Sequence, residues 1–421
     1  MGTGFISDWL KKIGVELPEN SSTRPVRLGF DVPLVLISTA LVIFGLLMVY
    51  SASWDFGYQF KDNPLFYFER QVSWFLLGSV LLVGAMLVRY QIWIRLALPI
   101  MLVTIASLLL VLFIGDERHG AVRGFSAGSY QPSEVAKLVM VIYLSVWLYN
   151  KREQLKDVSF GLFPLAAILG IVGGLIALEP DWSAVMTIGL LGILMFFLVG
   201  AELRQMIALI ILGVGFGYIV YLIIPTARTR IDIYWAGVVN LLAAHPHVQR
   251  ALEAFYNGGW IGVGIGKSIT KLSGLPFPHT DSIFAVVGEE VGVLGSSLLV
   301  LGYLGILWRG LRIAGRTQDQ LGRMLAAGLA FWVVMEAFIN MGVMVGLLPF
   351  AGNALPFISS GGSNLVVMMM SIGIILNISR QVEQTEEKEE RSFDAIVDLR
   401  RWDRRRRVPR TVRAASSARR R

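Results

Sequence analysis

The sequence predicts an all-α, polytopic membrane protein with ten transmembrane helices and one large external loop between the seventh and eighth. Composition is the first reason: 55% of residues are hydrophobic, only 16% are charged, and the mean hydropathy is +0.62. The second is that apolar windows of roughly 16–25 residues, the length a helix needs to cross a bilayer, recur along almost the whole chain. Third, these runs are continuous, whereas barrel strands alternate apolar and polar residues in segments of about ten.

Taken in order, residues 1–32 form an N-terminal segment in which Ile6, Trp9, Leu10, Ile13 and Leu17 keep helical spacing while Asp8, Lys11 and Lys12 fall elsewhere. That pattern suits a helix lying on the membrane surface. The first apolar run starts near residue 33 and is too long for a signal-peptide core, so it reads as an uncleaved anchor. The membrane domain, 33–380, is expected to hold spans near 33–53, 72–88, 92–114, 134–149, 160–178, 183–200, 206–224, 283–308, 322–346 and 365–380. The fourth and last are short and are expected to tilt or to extend into their flanks. Residues 225–282 make the large loop, and 381–421 a charged tail.

The net charge of +8 belongs to the tail. Residues 400–421 carry eleven Arg and one Asp, leaving −2 for everything else. A basic tail on a membrane domain is expected to lie near anionic lipid headgroups, and no nucleic-acid partner is expected. Before it, 381–399 has seven acids and two bases and reads as a solvated linker. With no cysteine in the chain, disulfides, thiolate nucleophiles and Cys-based metal sites are excluded.

Orientation follows from Lys and Arg in alternate short loops. The loops at 89–95, 150–159, 201–205 and 309–323 hold ten, and those at 53–71, 115–133, 179–182 and 347–364 hold four. Both termini are therefore expected in the cytoplasm and 225–282 outside. That orientation gathers four polar motifs on the outer face: Gln131 to Lys137 (QPSEVAK), Glu179-Pro180-Asp181, Pro278 to Asp281 (PHTD), and Leu355 to Asn364 (LPFISSGGSN). Each has a plain structural reading. Pro132 and Glu134 suit a first helical turn, Glu134 and Lys137 can pair at i,i+3, Asp181 can cap a helix, and Gly361 and Gly362 permit a turn. His245 and His247 have a metal-like spacing but no local third ligand. Thr280, Asp281 or Ser282 could cap the eighth span; beyond them Ala285, Gly288, Gly292 and Gly295 form a small-residue stripe for close packing. A firmly supported carboxylate at a helix tip is what general-base chemistry needs. Two turns down, at least one of Glu289 and Glu290 must face protein or water.

These motifs resemble, in identity and order, the SEDS family of RodA/FtsW-type peptidoglycan polymerases. The resemblance covers about 33–380 and rests on Val49 to Ser53 (VYSAS), QPSEVAK, the EPD at 179–181, His279 to Glu290 (HTDSIFAVVGEE), Gly346 to Asn364 and Leu376 to Arg380 (LNISR). The family fold is a ten-helix bundle with the same long loop. The resemblance implies joining of lipid II disaccharide-pentapeptide units into glycan, with release of undecaprenyl diphosphate. It places the essential aspartate at Asp281, with Glu134, Lys137 and Asp181 as supporting groups. His279, Thr280, Ser359, Ser360, Gly361, Gly362 and Ser363 flank the site. Departures occur at PFPHTD, where Phe277 stands for a usual Glu, at PDWSA and at SSGGSN.

In that chemistry Asp281 would take the proton of the acceptor hydroxyl. Diphosphate charge would be met by Arg123, Arg228, Arg230, Lys267 or Lys271, or by a divalent cation, Mg²⁺ or Mn²⁺. Lys137 would either hold Glu134 or touch phosphate. The resemblance further implies a class B penicillin-binding protein, a transpeptidase, as partner, and the charged tail favours a division-type, FtsW-like member. Two other classes stay open: a lipid II flippase, for which Glu336 and Asn340 in the ninth span are the main intramembrane polar groups, and a non-catalytic scaffold for a transpeptidase.

Overall fold

The computed structural model describes residues 29–114, 117–118, 121–122, 130–155, 157–158 and 160–405. The surface helix expected near the N-terminus, Arg123 and the arginines beyond 405 lie outside these residues. Twelve α-helices are described, and they follow the apolar pattern closely. The first seven are α1 (Val32–Lys61), α2 (Phe66–Leu87), α3 (Ile92–Ile114), α4 (Pro132–Lys151), α5 (Leu162–Leu178), α6 (Trp182–Leu198) and α7 (Leu203–Ile223). Between α7 and the next long helix come α8 (Pro225–Val239), a 3₁₀ turn (Leu241–Ala243) and α9 (Pro246–Gly258). The chain then closes with α10 (Ile283–Arg316), α11 (Gln320–Met344) and α12 (Gly362–Arg405). A two-residue antiparallel pair, Glu117–Arg118 with Ala121–Val122, joins α3 to α4.

Eight helices are long and apolar enough to cross a membrane: α1 to α4, α7, α10, α11 and the 362–387 part of α12. The two shorter apolar helices, α5 and α6, have 17 residues each and so span about 25 Å. They occupy the positions expected of the fifth and sixth spans. The fourth span is 20 residues, not short, because Pro132 starts it two residues earlier than its apolar run. The last runs on to Arg405 without Gly or Pro after Gly373, through Glu, Gln, Lys and Arg that favour helix. The acidic stretch 381–399 is thus helical.

Burial sorts the bundle. About four-fifths of the apolar windows of α4, α11 and α12 are enclosed, against 6% for α7, which leaves α7 at the periphery. The helix starts use the expected chemistry. Asp31 caps α1 by accepting from the Leu34 amide at 2.9 Å and also pairs with Arg309. Asp319 caps α11 through the Leu321 and Gly322 amides.

Helix α10 departs from expectation at Gly292, whose φ of 68° and ψ of −170° break it. At Gly288 and Gly292 the small-residue stripe faces Phe255 and residues 260–262. Beside them the Val263 and Gly264 amides donate to the Glu289 and Glu290 carbonyls at 3.0 Å. In return, the Val293 and Leu294 amides donate to the Gly259 and Trp260 carbonyls. A side chain at Gly262 or Gly292 would fall within 2.4 Å of the opposing backbone, so both glycines are required by the approach. The break exposes backbone groups inside an apolar bundle, and the neighbouring segment satisfies them.

Candidate functional site

The polar motifs converge at one end of the bundle, where α4, α6, α10 and α12 begin and α1, α5 and α11 end. Three consecutive carbonyls of the HTD stretch are each held from across the site. The Ser360 amide donates to the His279 carbonyl at 2.8 Å, Ser359 Oγ to that of Thr280 at 2.8 Å, and Asn340 Nδ2 to that of Asp281 at 3.0 Å. Asn340 also donates to the Asn353 carbonyl, and Asn353 in turn to that of Glu336. The peptide bearing Asp281 is thereby fixed to α11 and to the loop before α12. The N-cap of α10 is Ser282, whose side chain makes no capping bond. It meets His247 Nδ1 at 2.7 Å instead. Asp281 thus sits one residue ahead of the cap position, partly exposed, beside acids that are all buried.

His279 is buried between the rings of Phe56 and Tyr67, with centroids 5.0 and 4.5 Å away. Burial lowers its pKa to about 4, so it is neutral at pH 7. Through these rings it wedges the loop against α1 and α2. Thr280 Oγ1 lies 3.4 Å from the Phe277 carbonyl and keeps partial exposure.

The charges of QPSEVAK form an enclosed network. Lys137 Nζ donates to Glu134 Oε1 at 2.9 Å and also pairs with Glu336, and Asn364 Nδ2 reaches Glu134 Oε2 at 2.8 Å and Glu336 Oε2 at 3.3 Å. With 1% of its side chain exposed, Lys137 holds carboxylates and does not present itself to phosphate. Asp181 caps α6, accepting from the Ala184 amide at 3.3 Å, and its other oxygen accepts from Gln131 Nε2 at 2.9 Å and Ser133 Oγ at 2.8 Å. Cap and cross-link are thus one side chain. Ser363 Oγ accepts from the Gln131 amide at 3.0 Å, tying α12 to the start of α4. Gly362 starts α12 where an added Cβ would lie 2.4 Å from the Trp74 indole, so it serves a close approach; Gly361 has ordinary room.

Both doubtful acids on α10 are buried. Glu290 accepts from Ser51 Oγ at 2.6 Å and pairs with Lys271 at 2.7 Å. Lys271 also donates to the Ser51 and Gly266 carbonyls, so it is corrected from a substrate cation to an internal one. Glu289 accepts from the Ile269 and Thr270 amides and from Ser268. Ser51 explains the VYSAS motif, which in sequence carried no visible partner. Of the remaining cations, Arg228 and Lys267 are exposed and Arg230 half-buried on the same segment. Among the described residues no three His, Asp or Glu side chains converge as a metal cluster, and His245 and His247 stack on Phe350.

Fold and site define a polytopic helical membrane protein whose polar centre is assembled at one end from chain-distant motifs. The chain belongs to the FtsW/RodA/SpoVE family, described as cell cycle proteins, whose model matches residues 32–384. It is 37% identical over 363 residues to the "Probable peptidoglycan glycosyltransferase FtsW" of Geobacter metallireducens, covering 85% of this chain and 96% of the relative. It is 34% identical over 357 residues to the stage V sporulation protein E of Bacillus subtilis, covering 83% and 97%. A solved structure concerning coordination of polymerization and crosslinking by a peptidoglycan synthase complex matches with TM-score 0.70 and 25% identity, covering 85% of this chain and all of the matched one. The rod shape determining protein RodA of Thermus thermophilus shares the fold at TM-score 0.61 and 24% identity, over 85% and 98% of the two chains.

Proposed function

We propose that this protein polymerises lipid II into peptidoglycan glycan strands at the outer face of the bacterial cytoplasmic membrane, releasing undecaprenyl diphosphate, with Asp281 as general base. The relatives named as peptidoglycan glycosyltransferases support the activity. The observation that carries the residue assignment is the three-point clamp on 279–281, which presents one partly exposed carboxyl among buried ones. In the reaction the acceptor hydroxyl attacks the anomeric carbon of the donor. Its proton passes to Asp281, and the bond to the diphosphate breaks with the electron pair leaving on the phosphate oxygen.

Arg228 and Lys267, exposed on the external segment, would meet that charge. A divalent cation, Mg²⁺ or Mn²⁺, held by the substrate's own phosphates would add Lewis-acid stabilisation of the leaving diphosphate. The similarity to a peptidoglycan synthase complex supports a class B penicillin-binding protein as partner, which would crosslink the product strands. Both termini are cytoplasmic in this reading.

Purified protein tested for glycan synthesis and for lipid translocation separates polymerase from flippase and scaffold. The Asp281→Asn variant should fold and bind lipid II yet lose roughly 10²–10⁴ in polymerisation rate, since the amide has no useful basicity. Normal polymer from well-folded Asn variant would remove Asp281 as base.

A further inference from the structure

A cavity of about 210 Å³ lies between α8, the 3₁₀ turn, α9 and the end of α11. Its walls are mainly apolar, including Val238, Leu348 and Phe350, and its polar groups are Arg230, Tyr234 and His245. Tyr234 is engaged, its hydroxyl donating to the Leu347 carbonyl at 3.0 Å. His245 Nδ1 is buried with no hydrogen-bond partner among the described residues. A buried polar nitrogen left in this way costs stability unless something in the cavity satisfies it. The Arg230 guanidinium lies 6.0 Å from the Phe350 centroid.

The cavity adjoins the reaction centre through an aromatic partition. His245 and His247 both stack on Phe350, at 4.1 and 4.2 Å, and Phe277 stacks on His247 at 6.2 Å. His247 reaches Ser282, next to Asp281. Phe277 is the position where this chain departs from the family's usual Glu. We propose that this cavity is a subsite for a carboxylate-bearing part of the peptide carried by the lipid-linked substrate, with Arg230 and His245 as its polar contacts. This rests on the polymerase reading above. A diphosphate, with two or more charges and no apolar surface, would call for several cations, whereas the cavity offers one guanidinium. At roughly 30 Å³ per water the cavity holds about seven waters' volume, room for a short peptide segment. His245, its pKa lowered by burial and then by Arg230, is neutral and contributes an N–H donor.

The test compares full-length protein acting on lipid-linked substrates whose peptide carboxylates are free or amidated. Two variants probe the cavity. His245→Leu removes the nitrogen from an N-cap whose side chain makes no capping bond, and Val238→Trp fills the space from an exposed position of α8. Wild type should show a KM about 10-fold lower for the free-carboxylate substrate, the scale of one charge-assisted hydrogen bond. Both variants should abolish that preference with kcat and melting temperature held. Equal KM values in wild type, or variants that slow both substrates alike, would overturn the subsite. So would variants that instead weaken inhibition by inorganic diphosphate. Calorimetric binding of the water-soluble sugar–peptide headgroup reads the subsite even if no polymer forms. Absence of polymer from wild type would count against the polymerase reading alone.

Discussion

His279 illustrates how a motif residue acquires its role from neighbours far away in sequence. In the HTD triplet it stands beside the candidate base, yet it fills an aromatic slot between α1 and α2 while Asp281 keeps partial exposure. Its pKa of about 4 lies below the unfolded value near 6.5, so the unfolded chain binds the extra proton first as pH falls. Stability from this group is therefore full above about 6.5 and declines on acidification toward 4, by at most about 1.4 kcal/mol per pH unit. Melting of the purified protein from pH 7 to pH 4 should show this decline, and His279→Phe should flatten it. An unchanged slope in the Phe variant would mean the imidazole is not held neutral. The same burial means that polymerisation between pH 5.5 and 8 should carry no inflection from His279.

At the scale of elements, the broken helix α10 and the segment packed on it form one unit, and the Lys271–Glu290 pair is its electrostatic tie. Both side chains are at most 2% exposed, so removing one partner strands a charge in a medium that cannot solvate it. Lys271→Met should cost about 3–5 kcal/mol of stability, read as a lower melting temperature and yield. Adding Glu290→Gln should recover part of the loss, because the neutral amide can still bond Ser51. A double variant no better than the single would show that Lys271 acts through its backbone contacts alone.

For the whole molecule, the absence of cysteine makes sidedness directly measurable. Tyr256, 88% exposed at the end of α9, and Glu153, in the turn after α4, lie on opposite sides in the proposed orientation. In intact cells an impermeant thiol reagent should label Tyr256→Cys and spare Glu153→Cys; the reverse pattern would invert the topology. Removing residues 400–421, eleven Arg and one Asp, takes away the net positive charge that sets the overall sign. It should weaken salt-sensitive binding to anionic vesicles while leaving glycan synthesis in detergent intact. Loss of synthesis in a folded truncation would instead place the tail in the catalytic apparatus.

The sequence alone determined the all-helical membrane architecture, because a bilayer demands long apolar runs with their backbone bonded within the segment, and such runs are visible one residue at a time. It also marked Asp281, through a motif whose neighbours repeat a known family pattern. Glu336 and Asn340 were visible as polar residues in a span, but their roles were not: one pairs with Lys137 and the other grips the Asp281 carbonyl. Ser51 and Lys271 likewise look ordinary until Glu290 lies between them. Only tertiary structure could decide which of these charges meet each other. Pairing in a low-dielectric bundle depends on ångström distances between residues tens to hundreds apart in sequence, and local pattern carries no record of them.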